Sequence, residues 1–371
     1  MIPERANIIM HLDSALSWRG GQQQVLSLVQ GSHQRNIISF LACPPGSVLF
    51  KEALSRGISV FPLHIFAEWD ILAVRRLRQM IRNLKVNILH CHDSHAHTIG
   101  LLATMGLDNC KVVVTRRVDF RVGNNIISNF KYKHGVDKFI AVSEGVKKVL
   151  ESDGIDPSSI TVVHDGIEVN RFLCRDKAEH LYHEFGLDPS KPVIGNIAAL
   201  APHKDQKNLL QAAKIVLEQI PEAQFLVVGA GALEKELKQL AADLKIRERV
   251  KFTGFRPDIP QILTIVNIFA VSSYLEGLGS STLEAMSAGL PIVATRTGGI
   301  PEIVENNING ILVPPRDSES LARGIIALLR DQKMREKMGS ASRQLVKNFS
   351  VDKMVEGNIA LYQQVINKKE R

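Results

Sequence analysis

The chain has 371 residues, 45% of them hydrophobic and 23% charged, and a formal net charge of +8 at pH 7. That length exceeds what one hydrophobic core usually organises, so two domains are expected, and the composition excludes a disordered or fibrous chain. No apolar run approaches the ~18 residues of a membrane-crossing helix, and Met1-Ile2-Pro3-Glu4-Arg5 lacks the apolar core of a signal peptide, so a cytoplasmic location is expected.

Asn7-Ile8-Ile9-Met10-His11 reads as a first buried strand. Trp18-Arg19-Gly20-Gly21-Gln22 leads into an amphipathic helix through Val25, Leu26, Leu28 and Val29, and Gly20 and Gly21 let backbone donors face a ligand at the strand-to-helix turn. Strands follow at 37–42, 60–63, 87–90, 112–115, 139–142 and 161–164, with helices at 47–55, 70–84, 96–105 and 144–152. This alternation predicts a doubly wound parallel sheet. Six of the eight excess positive charges fall in residues 1–175, where 21 Lys+Arg face 15 Asp+Glu. Arg75, Arg76, Arg78, Arg82 and Lys85 form a local cluster, read either as a solvated helix face or as a surface for an anionic acceptor or membrane.

His90-Cys91-His92-Asp93-Ser94-His95-Ala96-His97 is dense in histidine, and residues 90 and 92 share one side of a strand. No ligand group of matching spacing occurs elsewhere, so no metal is expected. Cys43, Cys91, Cys110 and Cys174 show neither CxxC spacing nor a repeated interval and read as buried thiols.

A second series begins near Val193, with strands at 193–197, 224–228, 250–253, 268–272, 291–295 and 310–313 and helices including 208–219 and 233–244. The domain boundary is placed in the polar stretch 171–191, giving an N-terminal domain of 1–175 and a C-terminal domain of 176–350. Helices are expected at 318–329 and 334–347, and 351–368 reads as a long terminal helix. Lys204, in Pro202-His203-Lys204-Asp205, follows the first strand of this series and is placed to neutralise a diphosphate. Gly229-Ala230-Gly231 imitates a dinucleotide fingerprint, but its third glycine would fall at Glu234, so NAD is not indicated.

The most informative stretch is Glu276-Gly277-Leu278-Gly279-Ser280-Ser281-Thr282-Leu283-Glu284. Its glycines allow close backbone approach, and the helix that follows offers free N–H groups to an anion. Glu276 and Glu284 are suited to accepting hydroxyls on either side of a diphosphate. The plainer reading is a capping box, in which Glu284 serves Ser281 at the helix start.

This segment, continued by Gly298-Gly299-Ile300-Pro301-Glu302 and Asn309-Gly310-Ile311-Leu312-Val313-Pro314, resembles the donor site of the GT-B glycosyltransferases of family 4. The family's E-x(7)-E signature falls on Glu276 and Glu284, which the resemblance assigns to the donor sugar and the nucleotide ribose. It implies two Rossmann-like domains facing across a cleft, with the terminal helix 351–371 crossing back to the N-terminal domain. It further implies phosphate contacts from Gly20, Gly21, Gly277, Leu278, Gly279, Ser280 and Ser281, a base-binding loop at Gly254, Phe255 and Arg256, and His92 facing sugar and acceptor. Catalysis would rest on His92, Lys204 and Glu276. The family usually carries an arginine five positions before the lysine; here that position is Ala199, so one phosphate clamp is either missing or supplied elsewhere, by Lys207, Arg116 or Arg117.

The expected function is therefore retaining sugar transfer from a nucleotide diphosphate sugar to an acceptor hydroxyl, in cell-envelope polysaccharide or lipopolysaccharide synthesis. No Asp-x-Asp element occurs, so metal-independent activity without a cofactor is expected. The expected partners are the nucleotide-sugar donor, a glycan or glycolipid acceptor and an anionic membrane contacted peripherally on its inner face, with no nucleic acid. An epimerase or phosphorylase on the same architecture and a catalytically silent nucleotide-sugar-binding protein are the alternatives.

Overall fold

The computed structural model describes residues 7–120, 131–173 and 176–367. Backbone contacts divide the chain into two units, one of residues 1–166 with 351–371 and one of residues 167–350. The first unit closes at Gly166 rather than 175 because the 3-10 turn Val169–Phe172 packs on helices Ser280–Ser287 and Ile259–Leu263 of the second. Ile167 also bridges in parallel to Ser350.

The first unit holds seven parallel strands, β1 (Ile8–Leu12), β2 (Ile38–Cys43), β3 (Val60–Pro62), β4 (Ile88–Cys91), β5 (Lys111–Arg116), β6 (Lys138–Ala141) and β7 (Ile160–Val162), in the order β3-β2-β1-β4-β5-β6-β7. Helices α1 (Gly20–Gln34), α2 (Val48–Ser55), α3 (Ile71–Leu84) and α4 (Ser94–Thr104) join successive strands. β1 and β4 are buried at every position, as expected where helices cover both faces of a parallel sheet. The helix Val351–Asn367 packs on α1, and its Met354, Val355, Leu361 and Tyr362 join Ile9, Leu28, Ile88 and Val113 in one core cluster. At the end of this unit the Gln24 amide pairs with both backbone groups of Gly166, at 2.8 Å each.

The second unit holds β8 (Val193–Ile197), β9 (Gln224–Val228), β10 (Val250–Gly254), β11 (Ile268–Val271), β12 (Ile292–Thr295) and β13 (Gly310–Val313), all parallel, in the order β10-β9-β8-β11-β12-β13. Gly229, at φ +139°, has no room for a side chain: a Cβ there would stand 1.9 Å from the Ala198 carbonyl oxygen. The Gly-x-Gly run thus serves close packing of the loops after β8 and β9, where Leu200 donates its N–H to the Ala230 carbonyl at 3.1 Å. Cys43, Cys91 and Cys110 are free and buried, and Cys174 lies outside the described residues.

In both sheets the strand order reverses once, between β1 and β4 in the first and between β8 and β11 in the second. Open α/β sheets bind ligands beyond the carboxyl ends of the strands at such a reversal. Gly20, Gly21 and His92 follow β1 and β4, whereas Lys204 and Glu276 follow β8 and β11.

Candidate active site

In the second unit the chain leaves β8 through the 3-10 turn Pro202–Lys204 and enters the helix Gln206–Gln219. It leaves β11 through Ser272, Ser273 and Tyr274. The two loops are tied together by the Ser272 hydroxyl donating to the Lys204 carbonyl at 2.8 Å and the Tyr274 N–H to the His203 carbonyl at 2.9 Å. Lys204 and Glu276, 72 positions apart in sequence, meet as a result. The ammonium Nζ lies 2.8 Å from Oε1 and 2.6 Å from Oε2 of Glu276, and the Ser273 hydroxyl donates to Oε2 at 3.0 Å. Both side chains are mostly shielded from water, which strengthens the pairing. The predicted phosphate cation is therefore already neutralised by the predicted sugar-binding carboxylate, and an incoming diphosphate would compete for it.

The loop beyond Glu276 is braced from behind: the Gly299 N–H donates to the carbonyls of Glu276 and Gly277 at 3.2 and 3.1 Å. Leu278 is buried, and Gly279, at φ +99°, caps the helix Ser280–Ser287 without any side-chain cap. Among the described residues the N–H groups of Ser280 and Ser281 find no acceptor, leaving two donors at a helix N-terminus.

The capping box is not formed. The N-cap is Gly279 rather than Ser281, and the half-buried Glu284 carboxylate accepts no hydrogen bond from the described residues. Burial pushes its carboxyl up to about 7, with the nearby Arg171 charge opposing the rise. Because the folded state holds this proton more tightly than the unfolded chain, Glu284 should lower stability progressively as pH rises from the usual carboxylate range to about 7. If Glu284 holds the nucleotide ribose, as the resemblance implies, its ionised carboxylate is the better acceptor, and nucleotide affinity should rise over the same interval. Glu284→Gln is expected to flatten both trends, which melting curves and nucleotide titrations across pH would reveal.

In the first unit His92 lies at the end of β4, buried. Arg117 donates from Nη1 to His92 Nδ1 at 3.3 Å, and an arginine can only donate. His92 therefore carries its proton on Nε2 and donates it to His11 Nδ1 at 3.0 Å, which fixes the proton of His11 on its own Nε2. That N–H is buried and unpartnered among the described residues. Burial is the main cause that pushes His11 down to about 3 and His90 and His92 well below the usual imidazole range, so all three are neutral. Ligand atoms of His11, His90 and His92 lie within 4.8 Å of one another. Hydrogen bonds already engage both ring nitrogens of His90, with the Tyr362 hydroxyl and Thr115 Oγ1 at 2.6 Å each, and both of His92. The cluster reads as a hydrogen-bonded core network adjoining the loop after β4.

Gly20 and Gly21 open α1, with Gly21 against Arg117. Arg117 is itself held by Asp165 at 3.2 Å. Asp13, just after β1, is a further buried acid: burial and the neighbouring Asp93 charge raise its carboxyl to about 6, while the Ala15 N–H at 3.0 Å and the Gln22 amide at 3.1 Å donate to it. Its position at the carboxyl end of the strand bordering the sheet reversal was the available signal for it.

Arg256 is engaged elsewhere than expected. Its guanidinium pairs with Asp258 at 2.7 and 2.8 Å and with Glu184, and lies 5.2 Å from the Phe185 ring centroid. Gly254 accepts from the Gly229 N–H at 2.9 Å, while Phe255 is largely exposed. The candidates for the missing arginine are also partnered: Lys207 with Glu236 at 2.6 Å, Arg116 with the Tyr132 hydroxyl at 2.8 Å, and Arg117 as above. Ala199 offers only its carbonyl, to Gln206 at 3.0 Å. A cation missed in the sequence, Arg316, lies 4.2 Å from the Tyr274 ring centroid and, with Lys207 and Asn208, lines a cavity of about 430 Å³.

Two parallel sheets of this topology, each with polar groups gathered at its reversal, have the two-domain α/β architecture of the GT-B class. Residues 18–171 match the profile of "Glycosyltransferase Family 4" and residues 179–345 that of "Glycosyl transferases group 1", and the chain belongs to this family. It is 27% identical to N-acetyl-alpha-D-glucosaminyl L-malate synthase of Bacillus anthracis, over 86% of this chain and 85% of the relative. It is 26% identical to the UDP-Gal:alpha-D-GlcNAc-diphosphoundecaprenol alpha-1,3-galactosyltransferase of Escherichia coli, over 86% and 84%. In fold it is similar to Anabaena HepE solved with UDP-glucose, with TM-score 0.85 and 20% identity over 96% of this chain and 99% of that one.

Proposed function

We propose that this glycosyltransferase moves a sugar from a nucleotide diphosphate sugar to the hydroxyl of a glycan or lipid-linked acceptor, with retention of anomeric configuration and without a divalent ion. The observation that supports the reading is the Lys204–Glu276 pair, its glutamate three residues before a glycine-capped helix start whose Ser280 and Ser281 N–H groups find no acceptor among the described residues. Diphosphate at this helix start would take Lys204 as its counter-charge, releasing Glu276 to the sugar hydroxyls, and Glu284 would accept those of the ribose. Positioned cations and N–H donors stabilise the departing diphosphate as the bond to the anomeric carbon breaks. The acceptor hydroxyl then attacks from the face the diphosphate leaves, and phosphate oxygen takes its proton.

A uridine nucleotide is favoured, since HepE was solved with UDP-glucose and the Escherichia coli relative is named for UDP-Gal. That relative's name also includes a diphosphoundecaprenol acceptor, which favours a lipid-linked acceptor in envelope synthesis. Cytoplasmic work at the inner membrane face follows from this reading; among the described residues no helix is long and apolar enough to cross a membrane. Proton NMR of the product of UDP-sugar and a lipid-linked glycan, made with and without EDTA, tests the reading. It should show the donor's own anomeric configuration at an undiminished rate. An inverted product, or activity abolished by EDTA and restored by Mn²⁺, would contradict it. Donor incubated alone should stay unisomerised, separating transfer from epimerisation.

A further inference from the structure

The loop before α3 and the first turn of that helix put four large apolar side chains into water within seven residues: Phe66 is 86% exposed, Trp69 53%, Ile71 66% and Leu72 64%. Nothing about the loop is slack. The Asp70 carboxylate caps α3 by accepting the Ala73 N–H at 3.0 Å and reaches back to the Phe66 N–H at 3.2 Å. The His64 ring stacks on Phe66 with centroids 5.5 Å apart. Glu68 turns inward, accepting the Thr98 hydroxyl at 2.8 Å and the Lys131 ammonium at 2.9 Å. Both acids of the loop are thereby spent on protein partners, while its aromatic and aliphatic residues point outward.

α3 continues the surface. Ala73, Leu77 and Ile81 form its buried stripe, and Arg75, Arg76 and Arg82 are exposed on the opposite side, in line with Leu72 at helical spacing. The helix contains no acid, and Lys85 follows as its C-cap. Arg78, by contrast, is anchored to the Ala103 and Met105 carbonyls at 3.2 and 2.7 Å, fixing α3 to the end of α4.

An aromatic and aliphatic wedge flanked by exposed arginines is the composition that seats a protein in the headgroup region of a bilayer. Tryptophan and aliphatic groups enter the acyl boundary while guanidinium groups pair with lipid phosphates. We infer that the Phe66, Trp69, Ile71 and Leu72 surface, with Arg75, Arg76 and Arg82, docks this protein on an anionic lipid bilayer. The inference rests on the proposed reading only in giving docking a purpose, that of bringing the first unit to a lipid-linked acceptor.

Vesicle co-sedimentation of the full chain tests it without any transfer reaction. Binding is expected to vesicles containing phosphatidylglycerol and not to pure phosphatidylcholine, and to weaken with salt. Phe66→Ser with Trp69→Ser, and separately Arg75→Glu with Arg76→Glu, should each weaken binding by about tenfold or more. The wild-type melting temperature and nucleotide response should persist, since these side chains are exposed. In a Trp18→Phe background, which leaves Trp69 as the single tryptophan, emission should shift to the blue on adding anionic vesicles. Equal binding to both vesicle types, no binding, unchanged binding of both double variants, or burial of Trp69 in a dimer of the free protein would overturn the inference. Loss of the nucleotide response with vesicle binding intact would instead count against the donor site alone.

Discussion

Replacing Glu276 by alanine is expected to lower the turnover of sugar transfer by about two to three orders of magnitude while the donor KM changes little. In the free protein this carboxylate is bound by Lys204 and Ser273, so its removal leaves a largely shielded ammonium without its counter-charge. That should lower stability by about 1–3 kcal/mol. The same loss frees Lys204 for the diphosphate, which offsets the weaker hold on the sugar and keeps donor binding near its original level. Reaction geometry is not offset, because only Glu276 among these groups would fix the sugar ring. Steady-state kinetics checks this; wild-type turnover in the variant would show that the carboxylate serves the ion pair alone.

Lys204→Ala should lower kcat/KM for the donor by about three orders of magnitude, through both donor binding and leaving-group stabilisation. Glu276 would then stand beside the bound diphosphate as an uncompensated negative charge, making the lone lysine variant worse than simple deletion of a phosphate contact. The double variant with Glu276→Ala is accordingly expected to bind donor better than Lys204→Ala alone, a departure from additivity characteristic of groups in one ion pair. Additive losses would place the two residues in independent roles.

Much of the architecture was legible because buried parallel strands are written as short apolar runs between helical patterns. The expected bounds of β8, β9 and β13 coincide with those observed; β3, β10, β11 and β12 differ by one residue at one end, and β1, β2, β4, β5 and β6 by one residue at both ends. The short helix His180–Phe185 was missed, since six residues are too few to display a period. Within the site, the spacing of Glu276 and Glu284 and the glycine before the helix were readable, being local. What was not readable is how distant side chains use up one another's charge: Lys204 with Glu276, Arg256 with Glu184 and Asp258, and Arg117 with His92 and Asp165. Sequence assigns a charge to a loop but not the direction in which that charge is turned. The same limit applies to Phe66, Trp69, Ile71 and Leu72, which by composition could belong to a core and in the structure face outward.

The central claim is that a nucleotide diphosphate lies on the glycine-capped helix start with its ribose on Glu284. Thermal unfolding of the wild-type chain and of Glu284→Ala against UDP, GDP and ADP sugars addresses it most directly. A nucleotide present at a hundredfold excess over its dissociation constant stabilises the folded protein by about 2.7 kcal/mol. A clear rise in melting temperature is expected with one nucleotide class, largely lost in Glu284→Ala while the variant remains folded. No rise with any class, or an equal rise in both proteins, would contradict it.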